Sequence, residues 1–285
     1  MTQRTSSIIC AAALALAAGA ASAAADGLPV LGVDAGRTGV ASRDGSIRIV
    51  TLPAGDATVV ARIATDGGRV LAARRLRGNV TIPAVAYDGS AAGLSADGRT
   101  LVVIEPRAAF PRRPTPIRIL DARSLRPRTE LLLGGDFSID AVSPDGSLVY
   151  LIQYTSRTDP TRYAVRALDA RTGRLLPAPI VDPTGPGEKM RGLPVTRTDD
   201  AAGRWAFTLY DGAGGRPFVH ALDTAGRTAR CIDLDMLAGT SVNGLRLGLT
   251  AEEKTVAVTS TAGSPIALID LTTFTARKVT TLRLW

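Results

Sequence analysis

The amino-acid sequence predicts an all-β fold, a β-propeller of five four-stranded blades, with six blades as the alternative count. Three observations predict this fold. A hairpin-turn motif recurs at intervals of about 50 residues, a second turn motif follows each copy, and short β-branched runs flank both turns. Four-stranded units arranged in a ring protect their sheet edges, which is the principle of a propeller.

The first repeated motif is a tight turn rich in Asp and Gly. Its clearest copies are Ser95-Ala-Asp-Gly98 and Ser143-Pro-Asp-Gly146, and weaker copies surround Gly45, Gly203 and Glu253. In such a turn the Asp side chain bonds to nearby backbone, while the Gly readily adopts a positive φ. The motif therefore predicts the hairpin between the first and second strands, A and B, of each blade.

The second motif places an Asp directly after an apolar run. Its four copies contain Asp121, Asp169, Asp223 and Asp270, whereas the corresponding segment of the first unit, 63–68, has no Asp after its apolar residue. The pattern Asp-x-x-x-Gly-Arg is typical of a turn. It predicts the hairpin between the third and fourth strands, C and D, so that each unit is a four-stranded meander.

The first 23 residues predict a secretory signal peptide. They contain one positive charge at Arg4, an apolar run from Ile8 to Ala20, and small residues at the expected cleavage site. The apolar run is too short to cross a membrane, which needs about 20 residues. We therefore expect residues 24–285 to form a single secreted, extracytoplasmic propeller domain without a transmembrane anchor. We expect a monomer in which Leu28–Val33 closes the ring or begins a sixth blade.

The turns resemble those of a known class of secreted bacterial proteins. Ser143–Gly146 and Leu168–Arg174 are similar to turns of YVTN and WD-repeat-like β-propellers, and the resemblance extends over about residues 38–284. It implies a propeller in which the A–B and C–D turns lie on one face, while the B–C and D–A loops lie on the other, ligand-binding face. It implies no particular ligand, because the chain lacks both the YVTN tetrapeptide and the Gly-His and Trp-Asp dipeptides of WD repeats.

The loops predicted for the binding face are long and carry most of the aromatic residues. They include the B–C loops at residues 105–116, 153–162 and 210–217 and the D–A loops at residues 77–92, 134–139, 181–197 and 233–244. Long loops in a compact domain are usually functional or mobile. Tyr, Arg and acidic residues around a concave surface favour recognition of a polar ligand or a peptide. The alternative is that these residues only pack and solvate the loops. The candidate ligand-binding residues are Tyr87, Asp88, Arg107, Asp136, Tyr154, Arg157, Glu188, Lys189, Arg191, Tyr210 and Asp211.

The positive charge is concentrated in one part of the chain. The segment Arg69–Arg128 contains 12 Arg and four acidic residues, and its excess of eight positive charges equals the formal net charge of +8 of the whole chain. Such a segment attracts polyanions such as anionic cell-wall polymers or a membrane surface. A solvated, Arg-rich exterior is the alternative interpretation. Nucleic acid is not expected as a partner of an exported protein.

Known catalytic patterns are missing from the sequence. There is no Gly-x-x-x-x-Gly-Lys loop and no His-Glu-x-x-His motif. His220 is the only histidine and lies in an apolar run, so we interpret it as structural; Cys231 is similarly expected to be a buried strand residue. A carboxylate enzyme would have to draw on Asp88, Asp136, Glu188 and Asp211.

These observations favour a non-enzymatic binding or scaffolding propeller at the bacterial cell envelope, with no metal and no cofactor. Its partner would be an envelope protein or an anionic cell-wall polymer. Two alternatives stay open: a carboxylate- or metal-dependent hydrolase or lyase acting on a glycan or lactone, and a basic adhesin for anionic wall polymers.

Overall fold

The computed structural model describes residues 39–280 except 186, 188 and 189, and contains 18 strands in five antiparallel sheets. Blade 1 comprises β1 (Val40–Ala41), β2 (Ile47–Ala54), β3 (Ala57–Ala64) and β4 (Val70–Arg77). Blade 2 comprises β5 (Thr100–Ile104), β6 (Thr115–Asp121) and β7 (Pro127–Leu133), and blade 3 comprises β8 (Phe137–Val142), β9 (Leu148–Tyr154) and β10 (Tyr163–Asp169). Blade 4 comprises β11 (Gly192–Asp199), β12 (Trp205–Gly212), β13 (Phe218–Asp223) and β14 (Thr228–Asp233). Blade 5 comprises β15 (Arg246–Leu249), β16 (Thr255–Thr259), β17 (Pro265–Asp270) and β18 (Thr275–Lys278).

The chain is an all-β propeller, and each sheet corresponds to one predicted sequence repeat. Every sheet is an up-and-down meander whose neighbouring strands are consecutive in the chain. In blade 3 the first strand, β8, has all six residues buried. The fourth strands, such as β18, are largely exposed. The predicted A-to-D order therefore runs from the centre of the ring to its outer edge.

Blades 2 and 3 each have one irregular strand, the first strand in blade 2 and the fourth in blade 3. In blade 2 the A position is held by two bridges, Thr81 to Ile104 and Leu94 to Leu101, and the second lies next to Gly93, whose φ is +111°. A Cβ at Gly93 would lie 2.6 Å from the carbonyl oxygen of Val102, so the backbones approach too closely there for a side chain. In blade 3 the D position has two bridges, and the intervening Pro177 and Pro179 supply no N–H to a ladder.

The two repeated turns form as the sequence predicts. In the A–B turn of blade 3, the Asp145 carboxylate accepts hydrogen bonds from Ser143 Oγ at 2.7 Å and from the Ser147 N–H at 3.0 Å. In the C–D turn of the same blade, Asp169 accepts from the Arg171 and Thr172 N–H groups. These bonds lower the pKa values of both carboxyls below the usual range.

Hydrophobic clusters seal four of the seams between blades. Separate clusters join blades 1 and 2, 2 and 3, 3 and 4, and 4 and 5. Within the residues that the structure describes, no such cluster joins blade 5 to blade 1. Leu28–Val33 and the predicted signal peptide lie outside the described residues, so closure of the ring by an N-terminal strand stays a prediction.

Several strands extend further into the predicted loops than the sequence indicates. Strand β11 begins at Gly192, although the loop was predicted to continue to Arg197, because its residues pair in register with β12. Blade 1 has only the tight turn at Gly55 and Asp56 between β2 and β3, so long B–C loops belong to blades 2, 3 and 4. A short 3₁₀ helix, Asp235–Leu237, lies in the loop before blade 5. Among the described residues, no helix is long and apolar enough to cross a bilayer.

Candidate functional site

One loop reaches across the centre of the ring on the face that carries the B–C and D–A loops, here called the loop face. This bridging loop, residues 84–91, connects blade 1 to blade 2, and its backbone binds the innermost strand of blade 4. The Tyr87 N–H donates to the Pro194 carbonyl at 3.0 Å, and the Asp88 N–H donates to the Val195 carbonyl at 3.2 Å. Because blades 2 and 4 are not neighbours along the chain, the loop spans the channel and covers it from the loop face.

The tip of the bridging loop presents two of the predicted binding residues to solvent. Tyr87 is 42% exposed, although it is attached to the channel rim. Its partial burial, together with the nearby Tyr154, raises the pKa of Tyr87 to about 12, so the phenol stays protonated. The Asp88 carboxylate accepts bonds from the N–H and Oγ of Ser90 at 2.9 and 2.7 Å, which fixes its orientation.

Three further predicted residues form a buried cluster beneath this surface. The Arg107 guanidinium donates to the Asp136 carboxylate from Nε at 3.1 Å and from Nη2 at 2.6 Å, and the two side chains are only 1% and 2% exposed. The guanidinium carbon lies 4.6 Å from the centre of the Tyr154 ring, and Tyr154 Oη lies 3.2 Å from Ser138 Oγ. A bidentate ion pair stacked on an aromatic ring is a rigid arrangement. It anchors the B–C loop of blade 2 to blade 3.

Arg112 completes this cluster and was not predicted from the sequence. Its backbone N–H donates to Asp136 at 2.8 Å, and its guanidinium donates to the carbonyl oxygens of Glu105 and Phe137. Burial, followed by the neighbouring charge of Arg107, lowers the pKa of Arg112 to about 10. The sequence gives little signal for this role, because Arg112 is one of several arginines in an irregular loop.

The other predicted binding residues divide between the core and the surface. Tyr210 is buried, with its ring stacked on Tyr163 and Phe218 at centroid distances of 5.6 and 5.0 Å. Arg157, Arg191 and Asp211 are exposed. The Arg191 guanidinium lies 3.1 Å from the Asp159 carboxylate. Glu188 and Lys189 lie outside the described residues.

A second buried ion pair lines the channel and was also missed by the sequence reasoning. Arg197 in β11 donates to the Asp140 carboxylate in β8 at 2.7 Å and to Asp199 at 3.1 Å. Burial opposes the charge of Arg197, but Asp199 and Asp140 raise its pKa above the usual value. Arg197 occupies a regular position of β11, and Asp140 lies at a β-bulge in β8. No local sequence pattern separates either residue from other polar strand residues. The pair joins the inner strands of blades 3 and 4.

The channel opens on the opposite face, the turn face, which carries the A–B and C–D turns. Its cavity of about 480 Å³ is bordered by Arg43, Arg48, Arg197 and Asp199 and by the inner strands. The Arg43 guanidinium donates to the Asp200 carbonyl at 2.6 Å, which links the A–B turns of blades 1 and 4 across the opening. The channel is therefore a polar pocket open at the turn face and covered by the bridging loop on the other.

The candidate acids of the enzyme alternative occupy different environments. Asp136 is enclosed by Arg107 and Arg112, while Asp88 and Asp211 are exposed. Among the described His, Cys, Asp and Glu residues, no three lie together in a way that could hold a metal ion. The expectation that the protein needs no metal or cofactor stays a prediction.

The basic segment Arg69–Arg128 lies mostly at the surface of blades 1 and 2. Eight of its arginines are exposed, and Arg107 is the buried exception. Within the described part of the chain, the turn residues Arg99, Arg123 and Arg126 have no ion pair. Exposed, unneutralised arginines of this kind produce a positive surface potential.

Comparison with known proteins gives likenesses of fold. No protein-family model and no curated protein matches the sequence. Hydrazine synthase of Kuenenia stuttgartiensis is similar with a TM-score of 0.50 and 17% identity, over 85% of this chain and 64% of that chain. A functionally unknown protein from Desulfotomaculum acetoxidans has a TM-score of 0.50 and 15% identity, over 85% of this chain and 68% of that chain.

An acylaminoacyl peptidase is also similar, with a TM-score of 0.51 and 10% identity, over 86% of this chain and 38% of that chain. The chain thus spans less than two thirds of the hydrazine synthase and peptidase chains. At such low identities the likenesses describe the scaffold and not the chemistry placed on it. The comparisons therefore show a likeness of scaffold alone, and the five up-and-down sheets of the structure identify that scaffold as a β-propeller.

Proposed function

We propose that this chain is an exported, non-enzymatic binding or scaffolding propeller of the bacterial cell envelope, and that the loop face recognises a protein or polymer partner. The observation that carries the proposal is the bridging loop. By joining blade 2 to β11 across the channel, it turns the loop face into a continuous surface instead of a pore. A continuous surface suits a macromolecular partner better than a small substrate.

The buried cluster beneath that surface supports the same function. Arg107, Asp136 and Tyr154 hold the long B–C loop of blade 2 in one position, and a fixed loop loses little entropy when a partner binds. The predicted binding residues that are exposed around it are Tyr87, Asp88, Arg157, Arg191 and Asp211. An exposed Tyr with nearby charges is typical of an interface centre and its polar rim.

Site-specific photo-crosslinking tests this proposal. A photoreactive amino acid replaces Tyr87 or Arg157 on the loop face, and replaces the exposed Glu252 of the turn face as the matched control. In intact cells we expect a discrete crosslinked species from the two loop-face positions and none from Glu252. Equal crosslinking at Glu252 would contradict a loop-face partner. Turnover of a glycan or lactone that is lost in Asp88→Asn or Asp211→Asn would support the enzyme alternative.

Export is a separate part of the proposal and has its own measurement. The composition of residues 1–23 supports cleavage after Ala23. The N-terminal sequence of the protein recovered from the extracytoplasmic fraction should then begin at Ala24. Recovery of the protein from the cytoplasm with residues 1–23 intact would exclude this part.

A second candidate function, binding of anionic wall polymers, is favoured by the exposed arginines of blades 1 and 2. The triple variant Arg99→Glu, Arg123→Glu and Arg126→Glu reverses charge on the turns of blade 2. The triple variant Arg171→Glu, Arg174→Glu and Arg216→Glu makes the same charge change on exposed positions of blades 3 and 4. Only the first variant should bind an anionic polymer more weakly than the natural chain, and the binding that remains should depend less on the salt concentration. Equal losses would indicate a nonspecific effect of net charge.

A further inference from the structure

A cleft between blades 3 and 4 opens at the edge of the loop face, and no residue of the bridging loop lines it. It has a volume of about 510 Å³ and is bordered on one side by β10 and residues 179–182, and on the other by β13 and β14. Cavities of about 300–1,000 Å³ with a mainly apolar lining are typical of small-molecule sites. Arg191, one of the predicted binding residues, lies at its rim.

The wall of the cleft contains a buried polar atom that has no partner. His220 is 1% exposed, and its Nε2 forms no hydrogen bond with any residue that the structure describes. Leaving such an atom unsatisfied costs about 1–3 kcal/mol, so buried polar atoms normally have a partner. Burial lowers the pKa of His220 to about 4, and the imidazole is therefore neutral at physiological pH. A neutral ring has one donor and one acceptor, which suits a hydroxyl group as its partner.

The rim of the cleft carries an exposed positive charge. Arg162 lines the cleft, and its guanidinium makes no direct hydrogen bond or ion pair with a described residue, although its charge helps to lower the pKa of the Asp159 carboxyl. Asp159 pairs directly with the nearby Arg191. An exposed guanidinium without a direct partner at the mouth of an apolar cavity favours a carboxylate.

Among the other polar side chains that line the cleft, Tyr163 has an Oη that also forms no hydrogen bond with a described residue, whereas Asp182 is fully engaged. One oxygen of Asp182 accepts bonds from Thr184 and Arg230, and the other accepts the Cys231 N–H at 2.8 Å. Asp182 therefore repels no anion strongly and offers no oxygen to a metal. Between His220 and Arg162, the surface is formed by apolar groups, including Ile180 and Met190.

We propose that this cleft binds a small organic acid with an apolar body and a hydroxyl at its far end. The carboxylate pairs with Arg162 at the rim, the body packs against Ile180 and Met190, and the hydroxyl bonds to Nε2 of His220. This is a site for a small ligand, independent of the macromolecular partner proposed for the loop face. Its failure would leave the crosslinking result at Tyr87 unchanged.

Cys231 provides a direct readout of occupancy. It lies opposite His220 in the pairing of β13 and β14, lines the cleft, and is half-buried instead of buried as the sequence predicted. Because Cys231 is only partly buried and lines the cleft, we expect an alkylating reagent to reach its thiol from the cleft. A bound ligand should slow alkylation of Cys231 by iodoacetamide, which peptide mass mapping separates from any reaction at Cys10.

The experiment compares two probe series of increasing chain length, 4-hydroxyphenylalkanoates and the corresponding phenylalkanoates. Calorimetry on the full chain should show that at least one hydroxylated acid binds about tenfold tighter than its counterpart, as expected for one buried hydrogen bond. The same acid should protect Cys231. Equal affinity of the two series, or alkylation that no probe slows, would overturn the proposal.

Two variants test which residue binds the hydroxyl of the ligand and which binds its carboxylate. His220→Phe should remove the preference for the hydroxylated acid while affinity for the phenylalkanoate is retained. Arg162→Gln should weaken both series about tenfold, whereas Arg157→Gln, an exposed residue of the same loop that does not line the cleft, should leave both unchanged. Because Arg162 is exposed, we expect Arg162→Gln to fold, and its affinity for the probes can be measured even if His220→Phe fails to fold. Equal effects of Arg162→Gln and Arg157→Gln would contradict the proposed carboxylate position.

Discussion

The two faces of the propeller are built by different means. On the turn face, short repeated hairpins use one Asp each, and the carboxylate satisfies the backbone of its own turn, as Asp145 and Asp169 do. On the loop face, long irregular loops are held by buried charges that come from different blades, as Arg107 and Asp136 are. Local bonds make a turn independent of its surroundings, whereas the loop face depends on partners 29 residues apart. The loop face should therefore be the more sensitive to single substitutions.

The largest expected effect is that of breaking the buried ion pair. Asp136→Ala leaves Arg107 charged in a site where its side chain is 1% exposed, and also removes the acceptor of the Arg112 N–H. Breaking a buried pair by removing one partner costs about 3–5 kcal/mol. At a few degrees per kcal/mol for a chain of this size, calorimetry should show a melting temperature lowered by roughly 10 °C.

The matched control is the exposed pair of Arg75 and Asp56 in blade 1. Their charged groups also lie 2.9 Å apart, but the side chains are 62% and 88% exposed. Exposed pairs contribute less than about 1 kcal/mol, so Asp56→Ala should leave the melting temperature almost unchanged. If Asp136→Ala and Asp56→Ala lowered the melting temperature equally, burial of the ion pair would not explain why the loop face is sensitive to substitution.

A pH titration extends the comparison to a buried polar group outside the loop face. His220 has a pKa near 4 in the folded protein against 6.5 for a free side chain, because burial disfavours its charged form. The unfolded chain thus takes up a proton that the folded chain does not. This contribution to stability is complete above pH 6.5 and is lost as the pH falls towards 4. At 1.36 kcal/mol per pKa unit, the loss is about 3 kcal/mol.

The variant His220→Phe isolates this contribution. Denaturant unfolding between pH 7 and pH 4 should show a steep decline for the natural chain and a shallower one for the variant, in which only carboxylates titrate. Parallel declines would mean that His220 is hydrated in the folded state, contrary to its burial.

The contrast between the faces also explains how much the sequence could predict. The five units and both kinds of turn were predicted because each turn is encoded within a few residues, as in Ser143–Gly146. Even there, the left-handed residue of the C–D turn is Gly173 in blade 3 but Leu125, Arg227 and Phe274 in blades 2, 4 and 5. Glycine therefore marks such a turn without being required for it.

The arrangement of the loop face could not be predicted in the same way. The sequence singled out Arg107, Asp136 and Tyr154 as residues of long loops, but not that they contact one another, because their pairing depends on how blades 2 and 3 pack. Arg197 and Asp140 were missed because nothing local distinguishes them. The bridging loop was predicted as a loop, yet its bonds to Pro194 and Val195 depend on how blades 2 and 4 are placed across the channel.

The repeated A–B turn is the feature that the sequence predicts most easily. Its removal should also reduce the free energy of unfolding the least. Asp145→Ala deletes acceptors for Ser143 Oγ and the Ser147 N–H in a turn that water can reach. Because water replaces the lost bonds, we expect a loss of about 1 kcal/mol by denaturant unfolding. Asp211→Ala, at an exposed loop-face position, is the control and should change stability by less than about 0.5 kcal/mol. A loss for Asp145→Ala as large as that for Asp136→Ala would mean that the repeated turns, and not the buried ion pairs, set the stability of the propeller. The main role of the repeated turns would then be to stabilise the folded state. If the loss is small, their main role is to define where the chain reverses direction in each hairpin.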